Sequence, residues 1–185
     1  ELSLASAANT DISKWLGLRM FSTGGCTDAK CLDEQCAAEQ MTNLLYAHLS
    51  GANLVHDVGY IGSGTIASLE SLVLNNEMIG MVRKFCRGID TSDEHMALDV
   101  INEIGPGGEF LTHDHTFEHW RDWFRPKLQD RSDYDTWVMN DRKTLIDKTR
   151  EETDRILAEH EPDPIDPKLH AELKKLVKTA DRRHS

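Results

Sequence analysis

Residues 1–88 alternate between two apolar patterns, and this alternation restricts the fold more than any other feature. Leu2, Leu4, Ile12, Trp15 and Leu16 supply one face of a helix over residues 2–16, which Gly17 stops. Leu18–Thr23 then reads as a short strand that Gly24 and Gly25 turn. Asp33 or a neighbour caps a second helix, roughly 33–49, and Gly51 closes it. Asn53–Asp57 is the next strand, followed by the glycine-rich run Gly59-Tyr60-Ile61-Gly62-Ser63-Gly64 and a long helix over about 66–87. Strands that alternate with long helices belong to a parallel sheet or an α/β barrel.

Two parallel strands make an incomplete sheet, because parallel sheets are covered on both faces. The expectation is that the remaining barrel strands lie N-terminal to a chain that opens Glu1-Leu2-Ser3 without Met: a fragment, a processed product or an incomplete gene. After Gly88 the pattern is helical only, over 92–104, near 114–124 and 132–139, then 142–160 and 167–182. Gly105-Pro106-Gly107-Gly108 and the EPDPIDP stretch interrupt it. The expected organisation is therefore residues 1–90 as strands and helices of an α/β barrel and 91–185 as a helical extension and tail.

Charge narrows the function. The 185 residues carry 21 Lys plus Arg against 32 Asp plus Glu, a net charge of −11. Such a chain lacks the basic footprint of a nucleic-acid binder. No apolar stretch approaches the roughly 18–20 residues that span a bilayer, and no basic n-region opens a signal peptide. Cys26, Cys31, Cys36 and Cys86 are too sparse for a disulfide scaffold, so a reducing cytoplasmic location is expected.

In an α/β barrel, chemistry sits where strands run into the following loops. The two strands deliver Thr23–Asp28 and His56–Tyr60 to that rim. Strand alternation puts His56 on the face of Leu54, with Val55 and Asp57 on the other. An imidazole there can exchange a proton or orient a substrate, or serve as a hydrogen-bonded core residue. Asp28 reads as a helix cap or Asx-turn, or as a carboxylate facing a cationic ligand. The Gly59–Gly64 spacing is not GxGxxG and no Lys follows, which favours flexible closure over a phosphate cradle.

The five-residue spacing of Cys26, Cys31 and Cys36 does not suit zinc. His113-Asp114-His115, with His119 four residues on, is the best metal-like cluster, set against a capped helix start. Phe110, Phe117, Trp120, Trp123 and Phe124 favour packing over a cation–π cage.

The runs GGCTDAK…DEQ, LLYAHLSGANLVHDVGY, GTIASLESLVLNNEMIGMVRKFCRGI, ALDVINEIGPGGEFLTHDHT and ILAEHEPDPID resemble the trimethylamine–corrinoid methyltransferase family, from near Glu1 to about Ile165. The resemblance implies the C-terminal portion of a TIM-type (β/α)8 barrel with an added C-terminal helical extension. It further implies methyl transfer from a tertiary or quaternary methylamine to the Co(I) of a corrinoid (cobalamin) protein, with no cofactor bound directly to this chain. The founding branch carries pyrrolysine; with the equivalent position placed in the TGGCTDAK loop, where no such residue occurs, the chain resembles the branch acting on quaternary amines such as glycine betaine. Aromatic walls and few carboxylates would suit such a site, since fixed anions over-stabilise the bound cation.

On this reading His56 and Asp28 are the catalytic candidates, and Gly25, Thr27 and Tyr60 the substrate-binding ones. The partners are a corrinoid protein, a small methylated amine and further copies of the chain, with no nucleic acid, membrane or resident metal. Two alternatives stand beside it: a non-catalytic helical docking piece, with residues 89–185 binding a corrinoid protein or second subunit, and a metal-dependent hydrolase using His113 and His115. Half a barrel cannot enclose a substrate, so little activity is expected of the chain alone.

Overall fold

The computed structural model describes residues 1–184. The elements run α1 (Leu2–Trp15), β1 (Phe21–Thr23), α2 (Glu34–Leu49), β2 (Leu54–His56), β3 (Tyr60–Ile61), β4 (Ile66–Ala67), α3 (Leu69–Cys86), α4 (Asp93–Met96), α5 (Leu98–Ile104), α6 (Asp114–His119), α7 (Tyr134–Met139), α8 (Leu145–Glu159) and α9 (Pro167–His184). The fold is mixed α/β and mostly helical. It divides into two compact units, Glu1–Thr153 and Asp154–Ser185.

Strands β1 and β2 pair in parallel, with Phe21 opposite Leu54, Ser22 opposite Val55 and Thr23 opposite His56. The connection between them is α2, a βαβ crossover. Asp33 caps α2 by accepting from the Cys36 amide at 2.8 Å, as its sequence position predicts.

Register assigns the two faces of this pair. Ser22 and Val55 share one face: Ser22 is buried, and Val55 borders a small cavity with Leu44 of α2 and Val82 of α3. A methyl group added at Gly24 would meet Val55 Cγ1 at 2.7 Å. The core of the first unit lies on this side, where Leu44 packs with Leu74, Met78, Val82 and Leu128. Phe21, Thr23, Leu54 and His56 share the other face, on which Phe21 is 54% and Leu54 58% exposed. The apolar side chains of α1 are exposed too, Trp15 at 84%.

Three sequence expectations change. The long helix begins at Leu69, where Ser68 caps it by accepting from the Ser71 amide, and not at 66. Residues 60–67 form an antiparallel hairpin, Tyr60 opposite Ala67 and Ile61 opposite Ile66, so the glycine-rich run is a structured turn. The expected helix over 92–104 is broken at Ala97, whose φ of 45° separates α4 from α5.

Glu77 ties a distant segment to α3. Its buried carboxylate accepts from the amides of Lys127 (2.5 Å), Leu128 (2.7 Å) and Gln129 (3.0 Å). This docks Leu128 into the core.

Candidate functional site at the strand ends

A cleft of about 970 Å³ opens at the carboxyl ends of β1 and β2. Thr23 at the end of β1 and Cys26 and Asp28 in the loop after it border the cleft, with Asp57 after β2, Tyr60 of β3 and Glu39 of α2. Ligands of open α/β sheets bind in this position.

Main-chain hydrogen bonds stitch the two loops together past the end of the strand ladder. Gly24 N donates to His56 O and Gly59 N to Gly25 O, both at 3.0 Å; Thr27 N donates to Tyr60 O at 3.1 Å. Asn43 of α2 holds the first turn by accepting from Gly25 N at 2.5 Å and donating to Cys26 O at 2.7 Å. Gly25 has φ +74°, and an added methyl would lie 2.7 Å from Asn75 Oδ1. Its role is to shape the turn, and the cleft is bordered by its neighbours.

Thr27 is buried, and its hydroxyl donates to Glu39 Oε2 at 2.6 Å while accepting from Ala29 N at 2.9 Å. Glu39 also accepts from Asp28 N at 2.9 Å and from Gln35 Nε2 at 2.9 Å. The Thr27 hydroxyl, then the Gln35 amide, hold its carboxyl below the usual carboxylate range, so Glu39 is an anion at neutral pH. Sequence reasoning missed Glu39, because a Glu in a solvated helix looks like any other surface charge.

His56 is placed by two contacts. Its ring stacks on Phe21, with centroids 4.1 Å apart and planes 13° apart. Its Nδ1 lies 2.7 Å from Asp57 Oδ1. Strand alternation predicted that Asp57 points away from His56, and the structure corrects this. The strand ends at His56, Asp57 adopts φ 72°, and its carboxylate swings back to the imidazole. Asp57 borders the cleft, whereas His56 stands on the exposed sheet face beside Thr23.

Burial, and secondarily the Asp57 carboxylate, push the Cys26 thiol up, so it remains protonated at neutral pH and is a poor nucleophile. The cleft thus offers four carboxylates, Glu1, Asp28, Glu39 and Asp57, and one aromatic ring, Tyr60. The aromatic walls expected of the site are not found among its bordering residues. Two of the carboxylates are engaged, Glu39 by Thr27 and Asp57 by His56.

The histidine run behaves as a helix start. His113 Nδ1 accepts from the His115 amide at 3.1 Å, capping α6, and His115 Nε2 contacts Glu94 O at 2.8 Å. Both side chains are therefore committed to local structure. No helix among the described residues is long and apolar enough to cross a membrane.

Comparison with known proteins gives a consistent answer. The family model described as Trimethylamine methyltransferase (MTTB) matches residues 1–185. The chain is 34% identical over 179 residues to a glycine betaine methyltransferase of Desulfitobacterium hafniense (strain Y51), covering 96% of this chain and 37% of that protein. It is 32% identical over 182 residues to the trimethylamine methyltransferase MttB of Desulfitobacterium hafniense (strain DSM 10664 / DCB-2), covering 98% and 36%. The MttB of Methanosarcina barkeri (strain Fusaro / DSM 804) is also 32% identical over 182 residues, covering 98% and 37%. The chain spans little more than a third of the length of these relatives. It belongs to the trimethylamine methyltransferase (MTTB) family.

Proposed function

We propose that this chain carries part of the active site of a methyltransferase that moves a methyl group from a tertiary or quaternary methylamine, of trimethylamine or glycine betaine type, to the Co(I) of a corrinoid protein. The observation that carries this reading is the bare face of the β1–β2 pair. Helix α2 and the core cover Ser22 and Val55, while Phe21, Leu54 and His56 lie on the uncovered side. In a TIM-type (β/α)8 barrel one strand face meets the outer helices and the other fills the interior. The asymmetry supports assigning the pair to the C-terminal portion of such a barrel. Residues 91–185 then form a helical extension.

In the reaction, cobalt attacks a methyl carbon bonded to a positively charged nitrogen. The C–N bond breaks, its electron pair stays on nitrogen, and a neutral amine leaves. Positive charge on nitrogen is thus lost on the way to the transition state, and strong ground-state anion contacts slow the step. The pairing of Glu39 with Thr27 and of Asp57 with His56 moderates the field of the cleft. Asp28 and Tyr60 meet the cationic donor in this reading, and His56 contacts donor or acceptor through Nε2, since Nδ1 is held by Asp57. Thr27 and Gly25 act as positioning residues. Holding methyl carbon and acceptor in line away from water supplies the proximity contribution.

The test is to join this chain to the N-terminal part of the glycine betaine relative and to supply a corrinoid protein in the Co(I) state. Trimethylamine and glycine betaine are offered separately as donors. Donor-dependent methylation of the corrinoid by the joined protein, with little by the chain alone, is the expected result. Failure with both donors in a folded joined protein sinks the proposal. The alternative of a metal-dependent hydrolase through His113 and His115 has no support in the geometry, since both are tied to α6 and Glu94.

A further inference from the structure

The fold brings the imidazole of His95 in α4 to His119 and Asp122 at the end of α6, a pair that stands far from it in sequence. His95 Nε2 lies 3.9 Å from Asp122 Oδ2, and His119 Nδ1 lies 2.8 Å from the same oxygen. Their ligand atoms all fall within 4.8 Å of one another. Ligands of a tetrahedral zinc ion, each about 2.0–2.1 Å from the metal, are separated by about 3.3–3.4 Å. The two separations to Asp122 bracket that value, and the third, between the imidazoles, lies within 4.8 Å.

The far sides of both rings support the same reading. Metal-binding histidines characteristically turn their second nitrogen to a carboxylate or carbonyl, which fixes the ring and its tautomer. His95 Nδ1 lies 3.0 Å from Ser92 Oγ and 3.4 Å from Asp90 Oδ2. Asp90 is itself held in place by the Ser92 amide at 2.9 Å. His119 Nε2 is buried without a hydrogen-bond partner and faces Glu94 Oε1 at 3.6 Å. Each ring therefore presents one nitrogen to Asp122 and the other towards a second carboxylate. A mere surface ion pair requires only one of these four relationships.

We propose that His95, His119 and Asp122 form a binding site for a zinc-class divalent ion, with water completing the coordination shell. Two imidazoles and one carboxylate match the borderline preference of such ions. The ion would clip α4 to the end of α6, two helices that are otherwise short. The site is separate from the strand-end cleft and does not depend on the methyl-transfer reading.

The test is calorimetric titration of the untagged, metal-stripped chain with Zn2+, run in parallel on His95→Ala, Asp122→Asn and the control His48→Ala. The expected result is one ion per chain, bound at least about tenfold more weakly by His95→Ala and by Asp122→Asn and unchanged in His48→Ala. Co2+ loaded in place of Zn2+ should give visible ligand-field absorption that His119→Ala abolishes. Circular dichroism on each variant separates lost ligands from lost folding. Absence of saturable binding, or binding that survives both ligand substitutions in folded protein, overturns the proposal.

Discussion

His56 and Asp57 are neighbours at the end of one strand, yet their side chains meet, with Nδ1 and Oδ1 2.7 Å apart. Consecutive residues of an extended strand point to opposite faces, so the contact requires the left-handed backbone of Asp57. The turn links a residue on the open sheet face to one that borders the cleft.

Asp57→Asn tests this link. Asn tolerates the left-handed conformation and keeps the shape, but it removes the charge that faces the imidazole. The expected outcome is an unchanged unfolding midpoint and methyl transfer reduced about tenfold in kcat. Asp57→Leu loses both features and should also destabilise by about 1–2 kcal/mol in urea titrations. Equal activity in wild type and Asp57→Asn would detach the carboxylate from the mechanism.

Glu39→Gln should cost about 1–2 kcal/mol at pH 7, because three donors converge on its charged carboxylate. The sign of its pH dependence follows from the lowered value. The charged form is favoured in the folded state, so its stabilisation is complete above the unfolded value of about 4.3 and fades as pH falls through the folded value. Urea midpoints of wild type and Glu39→Gln should differ at pH 7 and converge once pH falls below the lowered folded value. A gap that stays constant across this range would contradict the assignment.

Gly25 and Gly64 both have positive φ, but their surroundings differ. A methyl at Gly25 meets Asn75 Oδ1 at 2.7 Å and Val58 Cα at 3.2 Å; at Gly64 it meets nothing within 4 Å. Gly64→Ala should therefore cost only the backbone strain, about 1–2 kcal/mol. Gly25→Ala should cost about 3 kcal/mol or more, because overpacking adds to it. Reversal of this order in thermal or urea unfolding would show that the Asn75 contact yields easily.

Glu77→Gln should destabilise the first unit by about 2–3 kcal/mol, since one amide oxygen cannot replace two charged ones for three donors. Glu77→Leu, which leaves all three amides without their acceptor, should cost about 3–5 kcal/mol. Hydrogen exchange at Leu128 provides the local check. It should accelerate in both variants, and unchanged protection there would contradict the anchoring role.

These residues also show what the sequence makes legible. Asp33 announces the start of α2, and Gly17 the end of α1, because capping and positive φ are local demands met by particular residue types. The parallel pairing of β1 and β2 follows from strands spaced by a helix. Glu77 gives no such signal: its partners are 50 to 52 residues away, and in a helix it resembles a solvated charge. The meeting of His95 with His119 is hidden in the same way, while His113 and His115 stand side by side and draw attention without converging. The glycine-rich turn is ambiguous for another reason. Its glycines permit a loop or a hairpin alike, and pairing of Tyr60–Ile61 with Ile66–Ala67 decides between them.

The account rests most heavily on the open strand face and the imidazole that stands on it. The direct measurement is the rate of corrinoid methylation by the chain joined to its relative's N-terminal part, wild type against His56→Ala, at saturating donor. The account predicts a fall of about a hundredfold or more, with circular dichroism and unfolding midpoint preserved. Equal rates in the two folded proteins would contradict it.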